Sequence, residues 1–257
     1  MSGTPAGLVD ALAGLGFGHP LRHYPLALTT EALALAWARQ EGAPEGALVV
    51  ADQELSPRGR RGPAWSVFPG QGLYASVVLR PGLPPQGEGL LHLLASLAAA
   101  EGLERAAGVA TAVKWPDDVT IGGAKVAGVK AEAQLAPGRI DSAVVTFRVN
   151  VAVPSESLAE VEGAATSLLV AVGAAPDRWE VLAHILTALQ ERYDNDVGSL
   201  LAAYSARCST LGRSVRALLL PRGEVTGTAE GVDASGALLI AGRGPVSIAT
   251  LKRLESA

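Results

Sequence analysis

Apolar positions recur along the chain with two periods, and the changes of period mark its elements. Leu33, Ala36 and Trp37 return at helical spacing behind Thr29 and Thr30, either of which can cap a helix running to about residue 40, with Glu31 favourable in its first turn. Residues 47–51 form a short unbroken apolar run, the pattern of a buried strand, which delivers Asp52, Gln53 and Glu54 to the next segment. Residues 73–79 repeat that pattern. From 90 to 103, Leu90, Leu93, Leu94 and Leu97 share one face of a predicted core helix in which His92 reads as a plain helix residue. Residues 112–115 predict a strand ending in the turn Pro116-Asp117-Asp118. Residues 119–121 and 125–134 predict a hairpin about Gly122-Gly123, a pair suited to a primed turn. Pro137-Gly138 then turns the chain into a strand over 142–151. Helices are expected over 158–172, 177–193 (with a structural His184) and 197–208. From 213 onward, β-type runs at 214–220, 224–230, 237–241 and 246–251 alternate with Gly-rich turns, which predicts a small barrel. Residues 1–25 carry no firm pattern beyond a short helix over 8–15.

Composition narrows this picture. A chain of 257 residues fits one large domain or a large and a small one. Its apolar share of 49% with only 4% aromatics calls for a core of Ala, Val and Leu. The net charge of −4 argues against a general nucleic-acid-binding field, so a local basic cluster reads as a site. Cys208 is the sole cysteine, which excludes an internal disulfide and fits a reducing, cytoplasmic setting. The first 21 residues lack the basic start and apolar core of a signal peptide. No apolar run reaches the roughly 20 residues of a membrane span.

The candidate chemistry lies in two stretches. Residues 58–65 read Arg-Gly-Arg-Arg-Gly-Pro-Ala-Trp, with Pro57 in front. Such a run is a loop, able to bring guanidinium forks and close-approaching backbone to an anion, although alone it could be a solvated basic turn. The second stretch is Lys114-Trp115-Pro116-Asp117-Asp118, followed by Gly122-Gly123-Ala124-Lys125-Val126-Ala127-Gly128.

With a further C-terminal stretch, Gly231-Val232-Asp233 and Gly236-Ala237-Leu238-Leu239, these motifs resemble biotin protein ligases over residues 26–257. The resemblance implies an α+β fold: a mixed β-sheet packed with helices, of the class II synthetase-like biotin–lipoyl ligase type, then a small SH3-like β-barrel. It divides the chain into an N-terminal extension (1–25), a catalytic domain (26–209) and a C-terminal domain (210–257). The first 25 residues are too few for the winged-helix DNA-binding domain that some members carry, so no nucleic-acid partner and no membrane partner is expected.

The activity implied is adenylation of biotin with MgATP, then transfer of the biotinyl group to a lysine of a biotin carboxyl carrier domain of acetyl-CoA carboxylase or a related carboxylase. A homodimer is compatible with it. Carried over residue by residue, Arg58, Arg60 and Lys125 are the catalytic candidates. Thr29, Thr30, Glu31, Glu54, Gly59 and Gly128 join them around biotin. Trp65, Lys114, Asp117 and Asn150 fall to ATP, and Asp118 to Mg²⁺ or to orienting the attacking lysine. Plainer roles stand beside these: Lys125 as an exposed hairpin lysine, Trp65 as a core aromatic, Asp118 bonding turn amides, Lys114 pairing with an aspartate.

Departures from the family pattern fall in the biotin pocket. Glu31 and Glu54 stand where the family has neutral amides, and a carboxylate accepts where an amide also donates. Pro57 replaces a glycine, Asp117 an asparagine, and Lys130 an apolar residue. Thr146 and Arg148 stand where two glycines let the ligand approach. Three readings follow: a biotin ligase with an altered pocket to which Arg148 adds a cation, a ligase for another acid such as lipoate or octanoate, and a non-catalytic protein on the ligase fold.

Overall fold

A computed structural model describes residues 4–57, 59, 65–161 and 163–257. Along the chain run α1 (Ala6–Leu12), β1 (Leu21–Tyr24), α2 (Thr30–Gln40), β2 (Leu48–Ala51), β3 (Gly72–Leu79) and α3 (Glu88–Ala107). Then come β4 (Ala112–Lys114), β5 (Asp118–Ile121), β6 (Ala124–Ala136), β7 (Arg139–Asn150), α4 (Ser155–Leu158), α5 (Leu168–Val172), α6 (Arg178–Tyr193) and α7 (Val197–Arg207). Strands β8 (Ser214–Leu219), β9 (Glu224–Val232), β10 (Leu238–Ile240), β11 (Pro245–Val246) and β12 (Leu251–Ser256) complete it. No described helix is long and apolar enough to cross a membrane.

The larger sheet has the order β1-β2-β3-β7-β6-β5-β4 and is mixed: β1 runs parallel to β2, and every other neighbouring pair is antiparallel. Its two faces are built differently. Phe147, Val145 and Val149 of β7 join the main core with Leu93, Leu97 and Ala100 of α3. Helix α3 is buried around most of its circumference, as a helix must be that lies between a sheet and a further helix layer, here α6 and α7. It ends at Gly108, whose φ of 64° suits a left-handed cap. The opposite face of the sheet is covered at one end by α2, through Ala34, Trp37 and Ala38 against Val49, Val78 and Val144.

The hairpin expected about Gly122-Gly123 forms, with φ of 59° and 85° at the two glycines, the positive pair that a primed turn requires. One expected helix does not form as a unit. Residue 158 ends α4 and residues 168–172 form the separate α5, because Gly163 turns at φ 87° and the Ser167 hydroxyl caps a fresh helix at Val170 N–H. Residues 164–166 instead line up beside Lys125. The last expected strand is likewise displaced, into the short β11 and the longer β12.

The smaller sheet runs β11-β10-β9-β8-β12, antiparallel throughout, with no pair between β11 and β12 among the described residues. It is tied to the larger one at Trp115, whose Nε1–H donates to Gly236 O at 3.0 Å and whose N–H donates to Thr210 Oγ1 at 3.0 Å.

Close packing of α3 on α6 hinges on Gly102: a Cβ there would lie 2.6 Å from Ile185 Cα. Backbone cannot yield as a flexible side chain can. Gly102→Ala is therefore expected to lower stability by about 1–2 kcal/mol, overpacking outweighing the gain in helix propensity. A lower urea midpoint at unchanged slope would show it; an unchanged or raised midpoint would contradict it.

Candidate active site

The site candidates gather on the sheet face that α2 covers, and strand register explains why. Residues directly paired across a sheet share a face. One such row reads Asp118, Gly128, Arg148, Tyr74, Ala51 across β5, β6, β7, β3 and β2. The next reads Lys130, Thr146, Ser76, Val49, and the one after it Glu132, Val144, Val78. The face thus grades from ionisable groups at one end to an apolar end under α2.

Lys125 stands at the polar end. Its ammonium pairs with Asp118 and lies 5.2 Å from the centroid of the Trp65 ring, within cation–π reach. The two side chains of the pair are 36% and 28% exposed, so the cation is open to a ligand. The Lys125 backbone is clamped: its N–H donates to Ala164 O at 2.8 Å, and its C=O accepts from Thr166 N–H at 2.9 Å. Asn150 holds that clamp, since Nδ2 donates to Thr166 O at 3.0 Å. Trp65 rests on Gly128. A Cβ at 128 would lie 3.0 Å from the indole Cζ3 and 3.3 Å from Lys125 Nζ, so the absence of a side chain here lets both groups lie close to the strand. The indole Nε1–H is buried with no acceptor among the described residues. Trp65 N–H donates to Pro57 O at 3.0 Å, which joins the two ends of the basic loop. Arg58, Arg60 and their neighbours through Ala64 lie outside the described residues; Gly59 is exposed.

The residues at the start of α2 meet a different fate. Thr29 caps the helix, its hydroxyl accepting from Ala32 N–H at 3.0 Å. Thr30 is fully buried. Its N–H and Oγ1–H donate to Glu54 Oε1 at 2.6 and 2.8 Å, and its hydroxyl accepts from Ser76 Oγ at 2.9 Å. Ser76 also meets Thr146 Oγ1 at 2.8 Å. The other oxygen of Glu54 accepts from Arg148 Nε–H at 2.7 Å. Glu31 pairs with Lys130, which also reaches Glu132 at 3.1 Å. Burial works to lower the Lys130 ammonium, but Glu31 and Glu132 more than offset it, so it sits above the ordinary lysine value. Burial raises the Glu31 carboxyl, assisted by nearby Glu132 and opposed by Lys130. Unusual residues of the pocket therefore find partners within it: Glu54 pairs with Arg148, Glu31 with Lys130, and Thr146 meets Ser76.

Lys114 is exposed and stands opposite Asp118 in the β4–β5 register, while Asp117 accepts from Val129 N–H at 2.9 Å through its carbonyl. Tyr74, Ser76 and the Ala164–Thr166 clamp were not singled out from the sequence. The alternation Thr146-Phe147-Arg148-Val149-Asn150 does mark a polar face on a central strand, and it points to the partners facing it on β3. A second cluster supports the base of the loop: Asp52 takes His23 Nε2 at 3.1 Å and Arg178 at 2.5 Å, and Arg178 stacks 4.0 Å over Trp179.

Residues 27–150 match the model of the biotin/lipoate A/B protein ligase family, and residues 210–249 match the biotin protein ligase C-terminal domain. A biotin--[acetyl-CoA-carboxylase] ligase of Mycobacterium tuberculosis is 32% identical over 241 residues, which are 91% of this chain and 88% of that protein. The bifunctional ligase/repressor BirA of Bacillus subtilis is 36% identical over 77% of this chain, and the match spans 62% of the length of that relative. A biotin protein ligase from Aquifex aeolicus, solved in complex with biotin and ATP, superposes with a TM-score of 0.75 at 26% identity, covering 93% of this chain and all of that one. The chain belongs to the biotin protein ligase family.

Tyr74 supplies a test of this packing. Burial pushes its phenol up to about 12. An unfolded tyrosine ionises near 10. Between these values the unfolded state binds fewer protons, so stability falls as pH rises through that window and is fully present below it. Unfolding free energy is expected to drop by about 1–3 kcal/mol more between pH 9 and 11.5 in the native chain than in Tyr74→Phe. Parallel urea titrations at both pH values would measure this, and equal losses in the two proteins would refute it.

Proposed function

We propose that the chain activates the carboxylate of biotin with ATP and passes the biotinyl group to a lysine of a carrier domain. The observation that carries this reading is Lys125, a clamped and accessible cation beside Asp118 on the bare Gly128 surface, with the ends of the basic loop joined above it at Pro57 and Trp65. Related chains support it, among them the ligase named for acetyl-CoA carboxylase and the enzyme solved with biotin and ATP.

In the first step a biotin carboxylate oxygen bonds to the α-phosphorus, and the bond from that phosphorus to the bridging oxygen breaks, releasing pyrophosphate and leaving biotinyl-5'-AMP. Both reactants are anions, so the step gains most from fixed cations. Lys125 is the cation that meets the carboxylate and α-phosphate, with Arg58 and Arg60 bracketing them and Gly59 allowing the loop to close. Trp65 rests where an acid would lie on Gly128, so it shifts to roof the ligand. Thr29, Thr30, Glu31 and Glu54 belong to the acid side. Lys114, Asp117 and Asn150 belong to the nucleotide side, Asn150 by holding the clamp on Lys125.

In the second step the carrier lysine amine attacks the acyl carbon, AMP leaves with the electron pair, the amine gives up a proton to solvent as the amide forms, and Asp118 orients the amine. Mg²⁺ suits this donor set. No group of three or more His, Cys, Asp or Glu gathers among the described residues, and Asp117 with Asp118 offers two carboxylates, as fits an ion carried in on the nucleotide phosphates. When bound, Mg²⁺ neutralises phosphate charge.

The same reading takes residues 26–209 as the catalytic unit and 210–257 as an SH3-like C-terminal unit. It sets the protein in the cytoplasm, with the carboxyl carrier domain of acetyl-CoA carboxylase or a related carboxylase as partner. A homodimer is compatible with this reading.

Calorimetric titration with biotin, alone and then with a non-hydrolysable ATP analogue, tests the binding half. Heat of specific binding, strengthened by nucleotide, supports it, and none from a folded protein refutes it. For the chemistry, Lys125→Ala is expected to lower biotin-dependent ATP–pyrophosphate exchange by about 10²–10³-fold. Its melting temperature should stay close to that of the native chain, since Lys125 is partly exposed. Exchange within a few-fold of native would remove Lys125 from its role.

A further inference from the structure

The sheet face that holds Lys125 also holds a buried ion pair, between Glu54 of the acid side and Arg148, to which the steps above give no role. Arg148 and Glu54 are 4% and 0% exposed at their side chains and meet at 2.7 Å. Arg148 is the register neighbour of Gly128. The face thus passes from bare backbone to a held-down arginine within one strand spacing, about 4.8 Å. Beyond it, on the same face, stand Thr146 and Ser76, and then the apolar floor under α2.

Stability does not account for such a pair. Exchanging a buried ion pair for uncharged groups of similar volume is often neutral or stabilising, because desolvation of both charges offsets their attraction. What the pair does accomplish is placement. Glu54 is fixed by the N–H and hydroxyl of Thr30 at the start of α2, and it fixes Arg148 in turn. An acid whose carboxylate is at Lys125 and whose body runs over Gly128 meets Arg148 next along the row.

We propose that Glu54 and Arg148 are the specificity-determining pair of the acid-binding surface, with Arg148 closing its far end and Glu54 positioning Arg148. The ligand class is a carboxylic acid whose body is limited in length by that wall. The inference rests on the reading of Lys125 and Gly128 as the place where the acid is activated.

The test is a chain-length series of biotin homologues: biotin, its homologue with one methylene fewer, and its homologue with one more. Each is assayed in acid-dependent ATP–pyrophosphate exchange. The native chain is expected to favour biotin over the longer acid by at least about 10-fold in kcat/KM, the discrimination one methylene can supply in a closed pocket. In the double variant Glu54→Gln, Arg148→Gly that preference should fall at least fivefold. The change should lie in the KM for acid, with the KM for ATP within twofold of native. A merely structural pair would move both KM values together or lower only the melting temperature. Should the double variant not fold, Glu54→Gln, Arg148→Gln keeps both positions polar and uncharged and must show the same relaxation. Unchanged discrimination in a folded variant overturns the proposal alone. Absence of exchange with every acid in the native chain overturns the ligase reading, and this proposal with it.

Discussion

A carboxylate without solvent must be met by donors, and Glu54 shows how much structure one such requirement can set. Its two oxygens take Arg148 Nε–H, Thr30 N–H and Thr30 Oγ1–H. Those bonds join three parts of the chain: the segment that follows β2, the first turn of α2 and the C-terminal end of β7. The first turn of a helix carries unsatisfied N–H groups and a partial positive charge, so Glu54 is stabilised there as well as by the guanidinium. Removing either charge alone would strand the other in a dry site, which is far costlier than losing an exposed pair. Ser76 and Thr146 extend the arrangement by letting hydroxyls satisfy one another across β3 and β7. The start of α2 is held to the sheet by polar bonds, and its middle by Trp37 and Ala38 packing on Val49, Val78 and Val144.

Much of this was legible in the chain itself. The apolar runs announced β2 and β3, the Pro137-Gly138 turn announced β7, the Gly122-Gly123 pair announced the β5–β6 turn, and the leucine spacing announced α3. Motif order placed Lys125 and Gly128 side by side, and register shows why they meet beneath Trp65. What the sequence hid was pairing. Glu31, Glu54, Lys130 and Arg148 read one at a time as intrusions into a neutral pocket. Their complementarity depends on α2 crossing β3 and β7, a contact between residues about a hundred positions apart. Local periodicity carries no information at that range. The short β1 escaped for a related reason: its four residues, Leu21–Tyr24, are all half-buried and neither alternate nor form an apolar run.

The passage over 158–172 shows tertiary demand overriding local preference. Helical spacing is present there, yet residues 164–166 are extended because they supply an acceptor to Lys125 N–H and a donor to its carbonyl. Lys125 starts β6 at its hairpin end, where few strand bonds constrain it. Without the clamp its ammonium would sweep a wide volume. The clamp is itself held by Asn150 at the end of β7, a central strand of the sheet whose last nine residues are all buried. Precision at the cation therefore derives from the core by two successive hydrogen-bonded steps, at the cost of a helix that the sequence could otherwise have made.

The C-terminal sheet reaches the same site by another route. Trp115 is buried between the two sheets, with its indole N–H on Gly236 O and its amide on Thr210. The residue before it is Lys114 and those after it are Pro116, Asp117 and Asp118. The Pro116 carbonyl is approached by Ser96 of α3 and Tyr204 of α7, both at 3.4 Å, while Asp117 O takes Val129 N–H. The segment that carries Asp118 to Lys125 is thus fixed from α3, from α7, from β6 and from the C-terminal sheet. Gly89 and Gly236 let that sheet come close, since a Cβ on Gly236 would sit 2.7 Å from the Gly89 carbonyl carbon. A shift of the C-terminal sheet relative to α3 would draw on Trp115 directly and on the Asp118–Lys125 pair three residues later. The small sheet is for this reason part of the geometry of the site, although none of its own side chains stands among the candidates.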